Sequence, residues 1–291
     1  MKKNTKSDII IDVFICFIII LLCVVTIFPF WNSLIVSLSS KSSAFSMGFR
    51  LFPEEVDFEA WNVIIKSSYI WRGFSNTVLR TVGGSVITMT LSVLTAYPLS
   101  KKDFICKGFF TKCIVFTMLF SGGLIPTYLL IKELGIMNSY WALVIPSAIS
   151  PFNLIVMKNF FEAIPAEMEE SAKIDGANDF LILLRIILPL CTAMLATIGL
   201  WTIVGHWNGW FDAVMYINDR SKFVLQVILR ELIIQNTPDP SLATTGANAI
   251  PLTSESIQSA ATMFVTIPIL LVYPFLQKYF AGGIMIGAVK G

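Results

Sequence analysis

Apolar residues in this chain come in long unbroken stretches, not in the alternation of a half-buried strand or the stripe of a soluble helix. Six windows, 9–30, 77–100, 109–130, 140–156, 186–207 and 257–280, carry no charge near their centres. A helix needs roughly 20 residues to cross a hydrocarbon core about 30 Å thick. Runs this uniform predict helices, because a barrel strand alternates in polarity and crosses in about 10 residues. The expectation is therefore an all-α polytopic membrane protein with about six transmembrane helices. Two connections, 31–76 and 208–255, are long. The second opens with "RSKFVLQVILREL", which has helical spacing. It continues as "NTPDPSLATTGANAIP", whose Pro, Thr, Ala and Gly read as loop. The helical piece is either a meeting surface for a solute-loaded receptor or a solvated edge.

Composition sharpens this reading. The chain is 55% hydrophobic and 14% charged, with a net charge of +2, against about 45–50% and about 25% in soluble domains. So small a charge suggests no nucleic-acid partner. The first window follows the basic start "MKKNTKSD", but it is too long for a signal core and "FPFWNS" after it offers no small-x-small cleavage site. It predicts a retained anchor. Lys2, Lys3 and Lys6 favour a cytosolic N-terminus, and six crossings return the C-terminus to the same side. Twelve basic residues then lie inside and nine outside, with Arg80 counted among the outer ones. The five cysteines, at 16, 23, 106, 113 and 191, all avoid the outer loops, so no disulfide is expected. One histidine and no close cysteine pair offer no metal site.

One inner connection departs from the rest. "EMEESAKIDGANDF", 167–180, packs six charges into fourteen residues. Pro165 suits the first turn of a helix. Glu167, Glu169 and Glu170 follow at its positive end, and Lys173 stands four and three residues after the last two, spaced for ion pairs. Gly176 suits the left-handed position past the helix end. Asn178 or Asp179 caps a second helix, in which Pro189 removes a backbone donor and predicts a kink. A helix of about ten residues is marginal alone in water. Two readings stand on these signals: a docking knob for a basic soluble partner, with Ala166, Met168, Ala172 and Ala177 allowing close approach, or an ordinary solvated loop.

The stretch "EESAKIDGANDFLILLRIILP" resembles the EAA loop of permease subunits of binding-protein-dependent ABC importers. Glu170, Ser171 and Ala172 stand at E-A-A, Asp175, Gly176 and Ala177 at D-G-A, and Ile186, Leu188 and Pro189 at the I-x-L-P end. Ser171 replaces Ala and Leu183 replaces the usual Phe, both mild departures. "SNTVLRTVGGSVITMTLSVLTAYPLSKKDF" resembles the family's domain start. "HWNGWFDAVMYI", "LQVILREL" and "QKYFAGGIMIGAVKG" resemble its carbohydrate branch. The resemblance covers about 72–291, leaving 1–71 as an N-terminal anchor helix with an extracytoplasmic segment. It implies a type I ABC importer permease (MetI-like) fold in the plasma membrane and a path for an oligosaccharide or related solute. It also implies the partners: a second, related permease subunit, two ATPase subunits gripping the 170–189 elbow, an extracytoplasmic solute-binding protein and membrane lipid.

Residue chemistry agrees. The chain has no G-x-x-x-x-G-K-[ST] phosphate cradle, so it is expected to be no enzyme and to need no cofactor of its own. The inner parts of the six runs hold no Asp, Glu, Lys or Arg of the kind ion-driven transporters place near mid-membrane. An ion-coupled secondary transporter and a non-transporting scaffold are the alternatives. Trp201, His206, Trp207, Asn208 and Trp210 cluster near the outer end of the fifth run. They suit a sugar path, since indoles stack on pyranose faces and amides bond hydroxyls. They equally suit an interfacial aromatic belt. "SGGLIPTYLL" and "GGSV" supply small residues for close helix packing, or else for local unwinding.

Overall fold

The structure, a computed structural model, describes residues 6–39, 52, 53, 55–235 and 254–288, without the side chains of 6–9, 235, 254 and 275–288. Lys2, Lys3, the side chain of Lys6, the loop 236–251, the side chains of 277–288 and all of 289–291 therefore lie outside the described residues. The chain divides into two compact units, Met1–Ile70 with Leu229–Ile267, and Trp71–Ile228 with Pro268–Gly291. Among the described residues there is no strand, only an isolated bridge between Ser39 and Val56.

The first unit begins with α1 (Lys6–Ser37), the most apolar of the candidate spans. No residue of its most apolar window is buried. Short α2 (Glu59–Lys66) turns Ala60, Val63 and Ile64 inward at the i, i+3, i+4 spacing of a one-sided helix. The sequence reading left it unresolved inside a mixed connection, because eight residues are too few for the period to stand out. The Trp61 indole N–H donates to Ser37 at 3.2 Å, and the Tyr69 hydroxyl to Glu231 at 3.1 Å.

The second unit holds most of α3 (Ser68–Ser100), then α4 (Lys107–Leu119), α5 (Leu124–Glu133), α6 (Trp141–Ser147) and α7 (Pro151–Glu162). There follow α8 (Ala166–Ile174), α9 (Asp179–Leu190), α10 (Thr192–Asn208) and α11 (Phe211–Tyr216). Two further helices, α12 (Leu225–Gln235) and α13 (Ser254–Ala288), run from one unit into the other. The piece read as helical in "SKFVLQVILREL" is α12, and it packs rather than lies free: Leu225, Val227, Ile228 and Leu232 are buried.

Among the described residues three helices are long and apolar enough to cross a membrane, or up to six spans if each of three bent pairs counts as one. The expected windows are thus present, but half of them are broken. Helices α4 and α5 meet at 114°, α6 and α7 at 49°, α9 and α10 at 86°. The first break corrects the close-packing reading of "SGGLIPTYLL". Gly123 sits at φ +90°, and a Cβ at Gly122 or Gly123 would meet nothing within 4 Å, so these glycines make a turn. Gly84 of "GGSV" does pack closely, since a Cβ there would lie 2.7–3.0 Å from the His206 ring. At the third break a π-turn over Leu183–Ile187 precedes Pro189, and the Cys191 N–H is shared between the carbonyls of Ile187 and Leu188.

Apolar contacts gather the elements of the second unit. Val93, Ala96 and Tyr97 of α3 join Met157 and Phe161 of α7, Ala172 of α8, Ile182 and Ile187 of α9, and Met194 and Ile198 of α10 in one cluster. A second cluster joins Ile131, Leu143, Tyr216, Val224 and Val227. Polar pins fix the segment around it. Asn76 accepts from the Tyr140 hydroxyl at 2.6 Å and donates to the carbonyls of Ser221 and Phe223 at 2.9 Å each. Asn138, at φ +56°, accepts from the N–H groups of Asn218 and Asp219. The hydroxyl and N–H of Ser221 donate to Asp219 and hold its carboxyl below the usual carboxylate range.

Asn76→Ala leaves two carbonyls and a phenol without their partner. It is expected to destabilise the solubilised protein by about 2–3 kcal/mol, read as a lowered thermal unfolding midpoint, and Asn76→Asp, which keeps the Tyr140 bond but sets a carboxylate oxygen against both carbonyls, should cost at least as much.

Candidate functional site

The charged elbow is built as a helix, a left-handed turn and a second helix. Pro165 stands at the N-cap of α8 with φ −57°, one position before the first turn expected for it. The end of α8 closes doubly: the Gly176 N–H bonds the Lys173 carbonyl at 3.0 Å and the Ala177 N–H bonds the Ala172 carbonyl at 2.9 Å. This is a Schellman end, and Gly176 at φ +82° is the residue that lets the chain make it. Asn178, not Asp179, caps α9: its side chain accepts from the Leu181 N–H at 2.8 Å.

Charges pair differently from the expected spacing. Lys173 reaches forward to Asp179 at 3.2 Å instead of back to Glu169 or Glu170, and both partners are largely exposed, so the link is weak. Glu169 instead pairs with Lys101 at the end of α3, both more than seventy per cent covered. The Lys101 ammonium also lies 3.9 Å from the centre of the Tyr97 ring. Alongside, Glu162 receives Lys107 at 2.6 Å and Lys158 at 2.8 Å. These ion pairs tie α8 to α3, and α7 to α4.

The elbow's residues divide by direction. Ala172 is 8% exposed and packs into the unit's own core, with Ile186 and Leu188 against the same cluster. Glu170, Ser171, Asp175, Gly176 and Pro189 are exposed, and Ala177 is half-buried. Two exposed apolar residues that the sequence reading did not single out stand among them: Ile174, 86% exposed, and Phe180, 61% exposed. Between α8 and α9 lies a depression of about 340 Å³ lined by Ala172, Gly176, Ala177, Leu181, Ile182 and Ile186, with Asp175 and Arg185.

A second feature is a cavity of about 520 Å³ between α3, the α6–α7 corner, α10 and the turn into α11. It gathers three of the five residues proposed for a solute path: His206, Asn208 and Trp210. The other two do not line it. Trp207 is buried and meets Phe74 edge-on at 6.0 Å, while Trp201 is half exposed and stacks obliquely on Phe152 at 5.9 Å. The α-helical period separates them: consecutive positions on α10 point about 100° apart.

The cavity's strongest group was assigned by sequence to the outer surface. Arg80, 4% exposed, lines it from α3, bonds the Gly209 carbonyl at 2.8 Å and pairs with Asp212. A Cβ on Gly209 would lie 2.4–2.8 Å from the guanidinium, so the missing side chain is what admits Arg80. Thr88, Ser147, Ser150, Asn153 and Thr202 add hydroxyls and an amide. The lining thus sets polar groups in a wall that is otherwise largely apolar, with its one cation already matched to an anion. Only "NGWFD" hinted at this in the sequence, through a glycine and an acid beside two aromatics.

No protein-family model matches the chain. The chain is similar to two Bacillus subtilis (strain 168) proteins at 40% identity. One is the polygalacturonan/rhamnogalacturonan transport system permease protein YtcP, aligned over 99% of this chain and 100% of its own length. The other is protein LplC, over 99% and 97%. It is also similar to a chain in the crystal structure of a bacterial ABC transporter involved in the import of the acidic polysaccharide alginate. That match has a TM-score of 0.89 and 31% identity, and covers 96% of this chain and 100% of the other.

The Lys101–Glu169 pair lies between the exposed and buried limits, so Lys101→Glu is expected to destabilise by about 2 kcal/mol. The exchange variant Lys101→Glu/Glu169→Lys should recover most of that loss in the unfolding midpoint. A double variant as weak as the worse single one would refute a direct link.

Proposed function

Because the chain belongs to the carbohydrate branch of the ABC-importer permeases, we propose that it forms half of a membrane path for an oligosaccharide and is driven by separate ATPase subunits through its 166–190 elbow. The observation that carries this is the form of the elbow. At the positions of the family's E-A-A and D-G-A motifs, a Schellman turn presents Glu170, Ser171, Asp175 and Gly176 outward beside the uncovered Ile174 and Phe180. Uncovered apolar side chains rimmed by charge fit a protein interface. Ala172, Ala177, Ile186, Leu188 and Pro189 serve as its footing: they seat the turn on the core and bend the helix beyond it.

Residues 72–291 constitute the permease domain and 1–71 an anchor with its outer segment. Both termini face the cytosol, which sets the elbow on the ATPase side. A second, related permease completes the path, and an extracytoplasmic binding protein delivers the solute. ATP binding draws the two ATPases together, their approach moves α8, and the Lys101–Glu169 pair passes that movement to α3. From Arg80 to Lys101, α3 spans about 30 Å at 1.5 Å per residue. One helix thus joins the elbow to the cavity. Hydrolysis takes place on the partner subunits.

The solute class follows from the cavity and the relatives together. Hydroxyls, amides and Trp210 suit a polyhydroxylated ring, with His206 and Asn208 beside it. The relatives' names point to uronate-bearing chains, so oligogalacturonides and related oligosaccharides are the first to test.

Reconstituted with its second permease, ATPases and loaded binding protein, the wild-type chain should show solute-stimulated ATP hydrolysis and uptake. Glu170→Lys should weaken ATPase association more steeply as salt falls, because like charges then repel across the interface over about 10 Å at 0.1 M salt. Gly176→Val forces a branched residue into left-handed backbone at a cost of about 1–2 kcal/mol and should uncouple hydrolysis from uptake. An assembly with no solute-stimulated hydrolysis, or a fully coupled Gly176→Val, would overturn the reading.

A further inference from the structure

Helix α3 carries Thr81, Ser85, Thr88 and Ser92 at spacings of four, three and four residues, which place them on one narrow arc. They are 6%, 8%, 3% and 0% exposed, and none of the four hydroxyl oxygens has a hydrogen-bond partner. Many other helical hydroxyls among the described residues behave otherwise, although Thr111 of α4 is also unpaired. Thr77, Thr197, Thr202, Thr262 and Thr266 each donate to the carbonyl four residues back at 2.7–2.8 Å. The same bond lies within reach of the four on α3, and it is not made. Thr88 opens directly onto the cavity, beside Thr202 and His206. From Thr81 to Ser92 the row measures about 16 Å along the helix, and it extends from the cavity toward the elbow end of α3.

The wall facing this row is α10. A Cβ at Gly84 would touch the His206 ring, and one at Gly199 would lie 3.9 Å from the Met89 methyl. Val93 and Ala96 share a cluster with Met194 and Ile198. Helix α10 begins just past the sharp break at Cys191, where a π-turn and Pro189 have already weakened the backbone ladder. A buried polar group without a partner disfavours the conformation that holds it. A whole row of them therefore favours any conformation that pairs them.

We propose that the seam between α3 and α10 is the inward continuation of the cavity. As α10 swings about the Cys191 break, the seam parts, and Thr81, Ser85, Thr88 and Ser92 exchange hydrogen bonds with a polyhydroxylated solute moving past. A serine or threonine hydroxyl both donates and accepts, as a sugar hydroxyl does, so the row needs no fixed register with its passenger. This inference rests on the oligosaccharide reading above.

The test removes the hydroxyls and keeps the shape. Thr88→Val, Ser85→Ala, Ser92→Ala and their triple combination are assembled with the full transporter in proteoliposomes. If the hydroxyls only pack, their removal raises the unfolding midpoint and leaves uptake unchanged. The expected result is an unchanged or raised midpoint with uptake reduced up to about tenfold for each lost bond, and Thr88→Ser close to wild type. In parallel, Thr88→Cys and Ser92→Cys should react with a charged, water-borne thiol reagent faster during ATP turnover than at rest, measured above the labelling of the native cysteines. Val86→Cys, on the exposed face of α3, should react at the same rate in both states. Normal uptake by the triple variant, or cysteines at 88 and 92 no more reactive during turnover than at rest, would overturn the proposal. The wild-type assembly separates this from the broader reading. If oligosaccharide-loaded receptor fails to stimulate its ATP hydrolysis, the solute assignment fails. If stimulation is normal and the triple variant transports normally, the seam alone is refuted.

Discussion

Backbone N–H and C=O groups find no water in hydrocarbon, and each helix that is interrupted there must settle its freed groups on the spot. This constraint governs the second unit. Beyond α4, the Phe120 N–H still bonds the Phe116 carbonyl, Ser121 accepts from the Gly123 N–H, and Thr127 returns to the Gly123 carbonyl. Before α7, Ser150 caps the new start, and Pro151 follows where a missing donor costs nothing. At Cys191 one N–H serves two carbonyls. Because the breaks are satisfied locally they are affordable, and they produce the features of interest. The α6–α7 corner and the α10–α11 turn wall the cavity, and the α9–α10 break sits directly behind the elbow.

Charge sits at two separate points along the same helix. Arg80, about three turns inside α3, is held by Asp212 and the Gly209 carbonyl, and Lys101, just past its far end, is held by Glu169 and the Tyr97 ring. Between them α3 offers only hydroxyls and apolar side chains. Each point is fastened to an element on the far side of the sequence, 132 residues away at Arg80 and 68 at Lys101. A displacement of α8 therefore has a rigid route to the cavity wall, without any ionised group inside the hydrocarbon.

Much of this was legible in the residues. The six apolar windows located the spans, because hydropathy over twenty residues averages away local detail. The elbow was legible nearly residue by residue: Gly176, Asn178 and Pro189 each act through backbone rules that operate within a few positions. What escaped depends on the third dimension. Arg80 reads as an outer charge until Asp212 and side-chain-free Gly209 are brought beside it. Trp201 and Trp207 cluster with His206 along the chain but leave it in space, since helical rotation turns them to other faces. The ion pairing of Lys173 went astray for the same reason: local spacing offered it Glu169 and Glu170, and folding pairs Glu169 with Lys101 and Lys173 with Asp179. The α4–α5 and α6–α7 breaks were harder to see than the kink expected at Pro189, because a glycine pair or a serine before proline barely alters mean hydropathy.

Helix α1 differs from every other long helix here, since its most apolar stretch shares no wall with its own chain. Among the described residues, nothing in the rest of this chain packs against that stretch. As far as this chain's own folding goes, those positions call for oiliness and length but not shape, so Ile, Leu, Val and Phe are interchangeable there. A packed span tolerates no such freedom, and the contrast makes this segment the natural place to graft a reporter or a tether.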